Sequence, residues 1–317
     1  MHNTPLAPSL APKIFRFTDI DAFRSSVRNL NVDFTPLVRT IAAEQIILNL
    51  PGCDVNYTKS FPRITDAQLS PKCTAIGFTM DDGYPIRFNG VEERGCSNIV
   101  VGSGGALYSQ VERTPRQYAS IVFAPEIEDR GWPRSGANFM VFETSAASHC
   151  ALRELISQVT SASLEFVDPL DVAGVSAAIR ESLLAAIDSA FADAVNTQWT
   201  ARADSARHFK VFRDVEAALS DNIAQPVYSG QLAQQIGVSV RTMHDAVKQY
   251  RGMTLHRYLR LRRLWLVRKR LIEGSQSVKA CALAFGFWHL SDFSMSYRLQ
   301  FGETPSETLA RSRYPSR

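Results

Sequence analysis

A short segment in the last third of the chain carries polar and basic side chains along one face of a predicted helix. Met243 and Val247 lie one helical turn apart and should face a core. The opposite face then carries Arg241, Thr242, His244, Asp245 and Lys248. An arginine can donate two hydrogen bonds to guanine O6 and N7, a histidine can donate to a purine, and a lysine suits a phosphate. This face is therefore a candidate for reading base pairs in a DNA major groove.

The same pattern returns further along the chain. Residues 229–254 align with residues 277–304, and each copy has a glycine at its central turn and another after its second helix. In the second copy the same helical phase gives an outer face made of His289, Leu290, Ser291, Ser294, Met295 and Arg298. A short helix, a glycine turn and a second helix form the pattern of a helix-turn-helix, and two copies make the signal specific.

Capping residues predict the helices that must position these two faces. The predicted helices cover 209–222, 230–236, 240–251, 255–273, 278–285, 289–301 and 305–309, with N-caps at Ser229, Ser239, Thr254 and Ser277. At ~1.5 Å per residue the helix over 255–273 spans about 28 Å, close to the ~34 Å between successive major grooves on one face of DNA. We therefore expect an all-α domain over 209–310, in which a long helix joins two helix-turn-helix motifs, followed by a tail over 311–317.

Charge divides between this domain and the rest of the chain. Residues 205–317 carry 18 Lys and Arg against 8 Asp and Glu, whereas residues 1–204 carry 17 against 23, so the net charges are +10 and −6. A basic C-terminal third joined to an acidic remainder favours a polyanion such as double-stranded DNA as the partner of the helical domain.

The residue pattern in the first two thirds of the chain predicts β-strands. From residue 14 to about 146, short apolar runs alternate with turn dipeptides such as Asp82-Gly83 and Asn89-Gly90, which is typical of a sandwich or a small barrel of the cupin type. We predict an α+β protein of two domains, with a flexible arm over 1–13, a cupin-like sensing and dimerisation domain over 14–197 and a linker over 198–208. The helices that flank this β-rich barrel are predicted at 148–159 and 171–197.

The longer of those flanking helices carries one apolar stripe, formed by Ile179, Leu183, Ile187 and Phe191. A stripe of this kind must be covered. Either the β-rich domain of the same chain covers it, or the same helix of a second subunit does so and the protein is a homodimer. The sequence leaves both interpretations open.

Catalytic and metal-binding constellations are not found in the β-rich part. Residues 1–204 contain only His2 and His149 as histidines, too few for the ligand cluster of a metal-dependent cupin, and no Ser/His/Asp arrangement can be assembled. We therefore expect no enzyme activity, no cofactor and no metal. A ligand pocket would have to use apolar and cationic side chains, for which the candidates are Arg63, Phe78, Arg87, Phe88, Phe123 and Trp132. An inward arginine would suit a carboxylate, and a plain core role is the alternative for each aromatic residue.

Compartment signals are weak but consistent. The start of the sequence lacks the basic and apolar regions of a signal peptide, and there is no apolar run of membrane-spanning length. Five scattered cysteines fit buried thiols in a reducing compartment. We expect a cytoplasmic protein that does not enter a membrane.

Several motifs together resemble one known family. They are Leu232-Ala233-x-x-Ile236-Gly237-Val238-Ser239, Gly252-Met-Thr-Leu-His-Arg-Tyr258-Leu, Ala282-x-x-Phe285-Gly286-Phe287 and Tyr297-Arg-x-x-Phe301-Gly302-Glu-Thr304-Pro305. With them, residues 209–310 resemble the DNA-binding domain of the AraC/XylS family of bacterial transcription regulators. The family usually has an arginine where Met295 stands and a small capping residue where Trp288 stands. These departures favour apolar contacts with thymine methyl groups, and phosphate anchoring through Arg298, for the second helix.

The resemblance implies a division of labour. In that family the N-terminal domain commonly binds a small effector molecule and dimerises, and the C-terminal domain activates transcription beside RNA polymerase. The leading hypothesis is a sequence-specific transcription activator that responds to such an effector. The alternative is a DNA-binding regulator without a small-molecule ligand, which is controlled by a protein partner or by its abundance. The role of Arg263, an internal ion pair or a DNA contact, stays open.

Overall fold

The computed structural model describes residues 9–82, 85–93, 95, 97–124, 130–162, 172–196, 203–221, 223, 227–274 and 277–313. The chain forms two compact units. The first comprises Met1–Phe34, Ile41–Ile86 and Glu92–Thr200, and the second comprises Thr35–Thr40, Arg87–Val91 and Ala201–Arg317. The predicted α+β class with a β-rich N-terminal part and a helical C-terminal part is confirmed.

Antiparallel strands build the β-rich part. They are β1 (Ser9–Phe17), β2 (Leu30–Pro36), β3 (Ala43–Leu50), β4 (Cys53–Ser60), β5 (Arg63–Leu69), β6 (Thr74–Thr79), β7 (Ile86–Phe88), β8 (Val91–Glu93), β9 (Asn98–Gly102), β10 (Leu107–Glu112), β11 (Arg116–Phe123), β12 (Met140–Glu143) and β13 (Val195–Asn196). One sheet has the order β1-β3-β4-β11-β6-β9-β12-β13, and the other has the order β2-β5-β10-β7-β8. The dipeptide Asn89-Gly90 joins β7 to β8 with φ values of 48° and 80°, as a tight hairpin turn requires.

Three helices accompany the sheets: α1 (Ile20–Ser26), α2 (Ala146–Ala162) and α3 (Val172–Ala192). The apolar side chains of α2 and α3 pack into the same core as strands β3, β4, β6, β9 and β11. Leu183 and Ile187 of α3 are only 2% and 1% exposed, and Ile179 and Phe191 pack against the same cluster. The dimerisation prediction for this stripe is therefore wrong, because its own domain already covers these side chains.

Two predicted boundaries also need correction. Strand β1 begins at Ser9 and pairs with β3, so residues 9–13 do not belong to a loose arm. Helix α3 ends at Ala192, and Val195–Asn196 pairs with β12 instead of extending the helix to 197. At both places, backbone hydrogen bonds to a neighbouring strand determine the structure. Residues 1–8 of the predicted arm, residue 197 of the predicted helix, residues 198–202 of the predicted linker and residues 314–317 of the tail lie outside the described residues.

The second unit is helical. Its helices are α4 (Ala203–Asp221), α5 (Ser229–Gln235), α6 (Val240–Arg251), α7 (Leu255–Ile272), α8 (Val278–Ala284), α9 (Leu290–Phe301) and α10 (Pro305–Arg313). Helix α4 thus begins inside the linker predicted over 198–208. The repeat is visible as the matched pairs α5–α6 and α8–α9, with α7 between them.

Local caps explain most of these helix ends. The side chains of Ser239, Thr254 and Ser277 accept hydrogen bonds from the backbone N–H groups of the first turns of α6, α7 and α8. Gly252 and Gly302 end α6 and α9 in the left-handed conformation, with φ of 63° and 76°. The predicted cap at Ser229 is wrong: Ser229 is the first helical residue, Tyr228 precedes it and no side chain caps the helix.

Each helix-turn-helix has its own core. In the first, Val211 and Phe212 of α4 pack on Ala246 and Tyr250 of α6. In the second, α7, α8, α9 and α10 bury Leu264, Val267, Leu271, Cys281, Ala282, Phe293, Tyr297, Phe301 and Leu309. Met243 and Val247 of α6 are buried, like their counterparts Phe293 and Tyr297 of α9. The predicted inner faces of these two helices are therefore confirmed.

Candidate nucleic-acid interface

The outer face of α6 is polar and open to solvent. The Arg241 side chain is 93% exposed, and its Nε lies 3.7 Å from Oδ2 of Asp245, one turn further along the helix. Lys248 is exposed on the same side. An ion pair this exposed is weak, so the Arg241 guanidinium can leave Asp245 and donate elsewhere. The arrangement suits a side chain that forks onto a base edge, flanked by a cation for a phosphate.

His244 and Thr242 are less free than their neighbours. The Nε2 atom of the half-buried His244 lies 3.1 Å from Oγ of Ser229 at the start of α5. Its ring also meets the ring of His256 edge-on, with 6.3 Å between centroids. Thr242 Oγ1 lies 2.9 Å from Oγ of the capping Ser239. His244 therefore links α5 to α6, and Ser229 and His256 join this face although the sequence pattern gave no sign of it.

The outer face of α9 has a different chemistry. Ser291, Ser294 and Arg298 are exposed as predicted, and His289 is exposed as the N-cap residue of the helix. Leu290 instead packs against the core of the second helix-turn-helix, so its side chain is partly buried. Met295 is 67% exposed.

Two further apolar side chains lie on this part of the surface, and the sequence-based site did not include them. Trp288 is 59% exposed just before α9, and Leu299 is 62% exposed near its end. Helical phase alone could have identified Leu299, because it lies one turn after Met295.

Comparisons with known proteins find relatives that match about a third of the chain. Residues 232–311 match a family model described as a helix-turn-helix domain. The chain is 34% identical over 103 residues to the XylDLEGF operon transcriptional activator 3 of Pseudomonas putida. This alignment covers 32% of the chain and 31% of that protein. The activator RhaS of Pectobacterium atrosepticum is 38% identical over 87 positions, covering 27% of this chain and 31% of the relative.

A solved structure also matches part of the chain. It is a transcriptional regulator of Chromobacterium violaceum, described as an AraC-type DNA-binding domain-containing protein, with 31% identity and a TM-score of 0.32. The match covers 35% of this chain and 99% of that one. The chain therefore contains a helix-turn-helix domain over residues 232–311. The chain spans about a third of the length of the full-length relatives it matches, 31% in both cases given above.

Part of the basic run on α7 has a structural role within this helix-turn-helix domain. Arg262 Nη1 lies 3.1 Å from Oε2 of Glu216, and Arg268 Nη1 lies 2.6 Å from Oε1 of Glu303. Arg263 Nε donates to the backbone carbonyl of Ile223 at 2.7 Å, and burial lowers the pKa of its guanidinium. These contacts favour an internal role for Arg263 over a DNA contact. Arg260 and Lys269 are exposed on the same helix.

Most of the predicted ligand-binding residues are buried or half-buried. Phe78 and Phe123 belong to the main apolar cluster, and Phe88 is 2% exposed. Trp132 packs against the same cluster while its Nε1 donates to Oδ1 of Asp188 at 2.7 Å. Arg87 is half-buried. For Phe78 and Phe123 the alternative interpretation, a plain core role, is the correct one.

Arg63 is also occupied within the protein. It is 3% exposed, and its Nη1 lies 2.6 Å from Oε2 of the buried Glu112. The rings of Phe23, Phe34, Phe61 and Tyr118 surround the guanidinium with centroids 5.4–5.8 Å away. Because Glu112 already balances its charge, the prediction that Arg63 receives the carboxylate of a ligand is wrong.

Neither a metal site nor a membrane span is found within the described part of the chain. No group of three His, Cys, Asp or Glu residues there is arranged to hold a metal ion. No helix among the same residues is both long and apolar enough to cross a bilayer.

Proposed function

We propose that this protein is a sequence-specific DNA-binding transcription regulator whose two helix-turn-helix motifs read adjacent segments of the major groove. The observation that carries the proposal is the repeated pair α5–α6 and α8–α9, in which each second helix buries one face and exposes the other. Helix α7 (Leu255–Ile272) joins the two pairs, and its 18 residues span about 27 Å at ~1.5 Å per residue. That length is compatible with two recognition helices in successive grooves.

Activation of transcription is the expected outcome of binding. Two relatives that match about a third of this chain are named as transcriptional activators. The protein then acts beside RNA polymerase at a promoter. The acidic β-rich part serves as the regulatory domain, either by binding a small effector or by contacting a protein partner. A homodimer would need a surface other than the buried stripe on α3.

The experiment that tests this proposal is binding-site selection. Purified protein is incubated with a library of random duplexes, bound DNA is amplified over several rounds, and enriched sequences are tested by fluorescence anisotropy. We expect one bipartite sequence to be enriched, with half-sites about one helical turn of DNA apart.

Two substitutions on α6 then separate base reading from phosphate contact. Arg241→Ala should weaken binding by about 10- to 100-fold and relax the preference at one base pair, since a bidentate contact with guanine carries ~1–3 kcal/mol of discrimination. Lys248→Ala should weaken binding to every sequence equally and lower the slope of log affinity against log salt concentration by about one.

The exposed Lys279 of α8 provides a matched control for a general loss of positive charge. Lys279→Ala should leave the base preference unchanged. Equal losses on every sequence for both Arg241→Ala and Lys248→Ala would contradict the assigned roles. Enrichment of no sequence at all would contradict the proposed function itself.

A further inference from the structure

Three large apolar side chains are exposed on α9 and on the residues just before it. Trp288, Met295 and Leu299 are 59%, 67% and 62% exposed, and together we call them the apolar strip. Met295 and Leu299 are separated by one helical turn and lie on the side of α9 opposite to the buried Phe293, Tyr297 and Phe301. Trp288 precedes the N-cap residue His289 of the same helix.

The corresponding positions on α6 are polar. In the sequence repeat, Met295 stands where Asp245 stands in the first copy, and Leu299 stands where Gln249 stands. Arg298 keeps the positive charge of Lys248, and both are exposed. The two recognition helices therefore share their fold, their buried face and a basic residue, but they differ at the centre of the exposed face.

This difference decides what α9 can recognise. A thioether and an aliphatic side chain cannot form the paired hydrogen bonds by which arginine or asparagine identifies a base. The apolar group that the major groove does offer is the 5-methyl group of thymine. Arg298, next to the strip, supplies the cation that a neighbouring phosphate would require.

We propose that the apolar strip reads its half-site through the methyl groups of thymines, so that the two halves of the target are recognised by different chemistry. This inference rests on the proposed function. The α6 half-site is read by hydrogen bonds from Arg241 and its neighbours, and the α9 half-site is read by the burial of methyl groups against Met295 and the two flanking side chains.

Replacement of thymine by deoxyuridine tests the inference directly. Deoxyuridine pairs with adenine in the same way and lacks only the 5-methyl group. The test uses the full chain and a duplex enriched by binding-site selection, with each thymine replaced in turn. A replacement under the strip should weaken binding roughly 3- to 5-fold, the equivalent of one buried methyl group at ~0.8 kcal/mol. Replacements in the α6 half-site should have little effect.

A double-mutant cycle assigns the effect to the strip. In Met295→Ala the loss caused by deoxyuridine should largely disappear at one position of the α9 half-site, because the methyl group no longer has its contact. Ile272→Ala is the matched control, since Ile272 is 50% exposed on α7 and lies outside the strip. It should leave the deoxyuridine effect unchanged.

The outcomes are distinguishable. If a sequence is enriched but no deoxyuridine replacement in either half weakens binding, the inference is overturned while the proposed function stands, and the strip is then a surface for a protein. A deoxyuridine effect that persists in full in Met295→Ala, Leu299→Ala and Trp288→Ala would also overturn it. If no sequence is enriched, the proposed function fails and the inference fails with it.

Discussion

One glutamate in each half of the helical unit joins neighbouring helices through basic side chains. Glu216 of α4 accepts hydrogen bonds from Tyr258 and Arg262, and its other oxygen lies 3.2 Å from Nη2 of the fully buried Arg251. The Arg251 guanidinium stacks between the rings of Phe212 and Tyr258, 4.4 and 4.7 Å from their centroids. Glu303 has a similar role in the second half, where it joins Arg268 of α7 to Arg311 of α10. Each carboxylate thus stabilises the basic side chains that it contacts.

Glu303 makes the stability of the second half dependent on pH. Burial raises the pKa of its carboxyl, but hydrogen bonds from Arg311, Thr308 and Arg268 outweigh this effect and lower the pKa to about 2. A lowered pKa in the folded state stabilises the fold fully above the unfolded-state value of 4.5, and the stabilisation is lost as the pH falls through 2. Glu303→Gln should therefore reduce the free energy of unfolding by on the order of 2 kcal/mol at pH 7.

Chemical denaturation between pH 7 and pH 3 measures this effect, and the wild-type and Glu303→Gln curves should converge as the pH falls below 4.5. Glu273→Gln is the control. The carboxylate of Glu273 is 49% exposed and lies 3.7 Å from Arg270, so its removal should change the stability by less than about 0.5 kcal/mol. A constant gap between wild type and Glu303→Gln at all pH values would show that the carboxylate charge is not the cause.

The turn between α5 and α6 depends on a left-handed backbone conformation at one residue. Gly237 has a φ of 71°, and an added Cβ atom there would meet no atom within 4 Å. Gly237→Ala should therefore destabilise the protein by about 1 kcal/mol through backbone strain alone.

Gly230 is the matched control for Gly237. It lies in helix α5, and an added Cβ atom there would also meet nothing within 4 Å. Gly230→Ala should leave the stability unchanged or raise it by up to about 1 kcal/mol, because alanine favours a helix. Thermal unfolding followed by circular dichroism compares the two variants. Equal effects from both would mean that the turn does not require the left-handed conformation.

Most helices could be predicted from the sequence because their signals are local. The caps at Ser239, Thr254 and Ser277 and the terminal glycines act within one helical turn, so the bounds of α6 and α9 were expected within one residue. The sequence-based predictions were wrong where contacts with residues distant in the sequence determine the structure. The contact between His244 and Ser229 joins two helices, and the end of α3 is set by strand pairing between β13 and β12. Neither partner is visible in a local pattern.

The charge pattern of the sequence distinguishes the basic helical part of the molecule from the acidic β-rich part. It does not predict which polar side chains of the β-rich part are buried. Sequence periodicity suggests which residues point inward, and both a pocket arginine and a core arginine satisfy that description. The ion pair of Arg63 with Glu112 joins β5 to β10, whose pairing is set by the sheet and not by any sequence motif.

The regulatory role of the β-rich part has its own test. A thermal-shift screen of the full chain against carboxylates, amines, aromatic acids and sugars should give a hit if this part binds an effector. A ligand at ~100 times its dissociation constant stabilises the folded state by about 2.7 kcal/mol, which raises the melting temperature by several degrees. The hit should also change the affinity for the selected DNA. A screen without hits would favour control by a protein partner.

The exposed Met295 between Trp288 and Leu299 has a consequence for epigenetic modification. A side chain that contacts only the methyl group does not distinguish bases by their other groups. Cytosine that has been methylated at carbon 5 presents the same group at the same place in the groove as thymine. A promoter bound through this strip would therefore be sensitive to cytosine methylation, and a DNA methyltransferase could create or strengthen a binding site without any change in the genetic sequence.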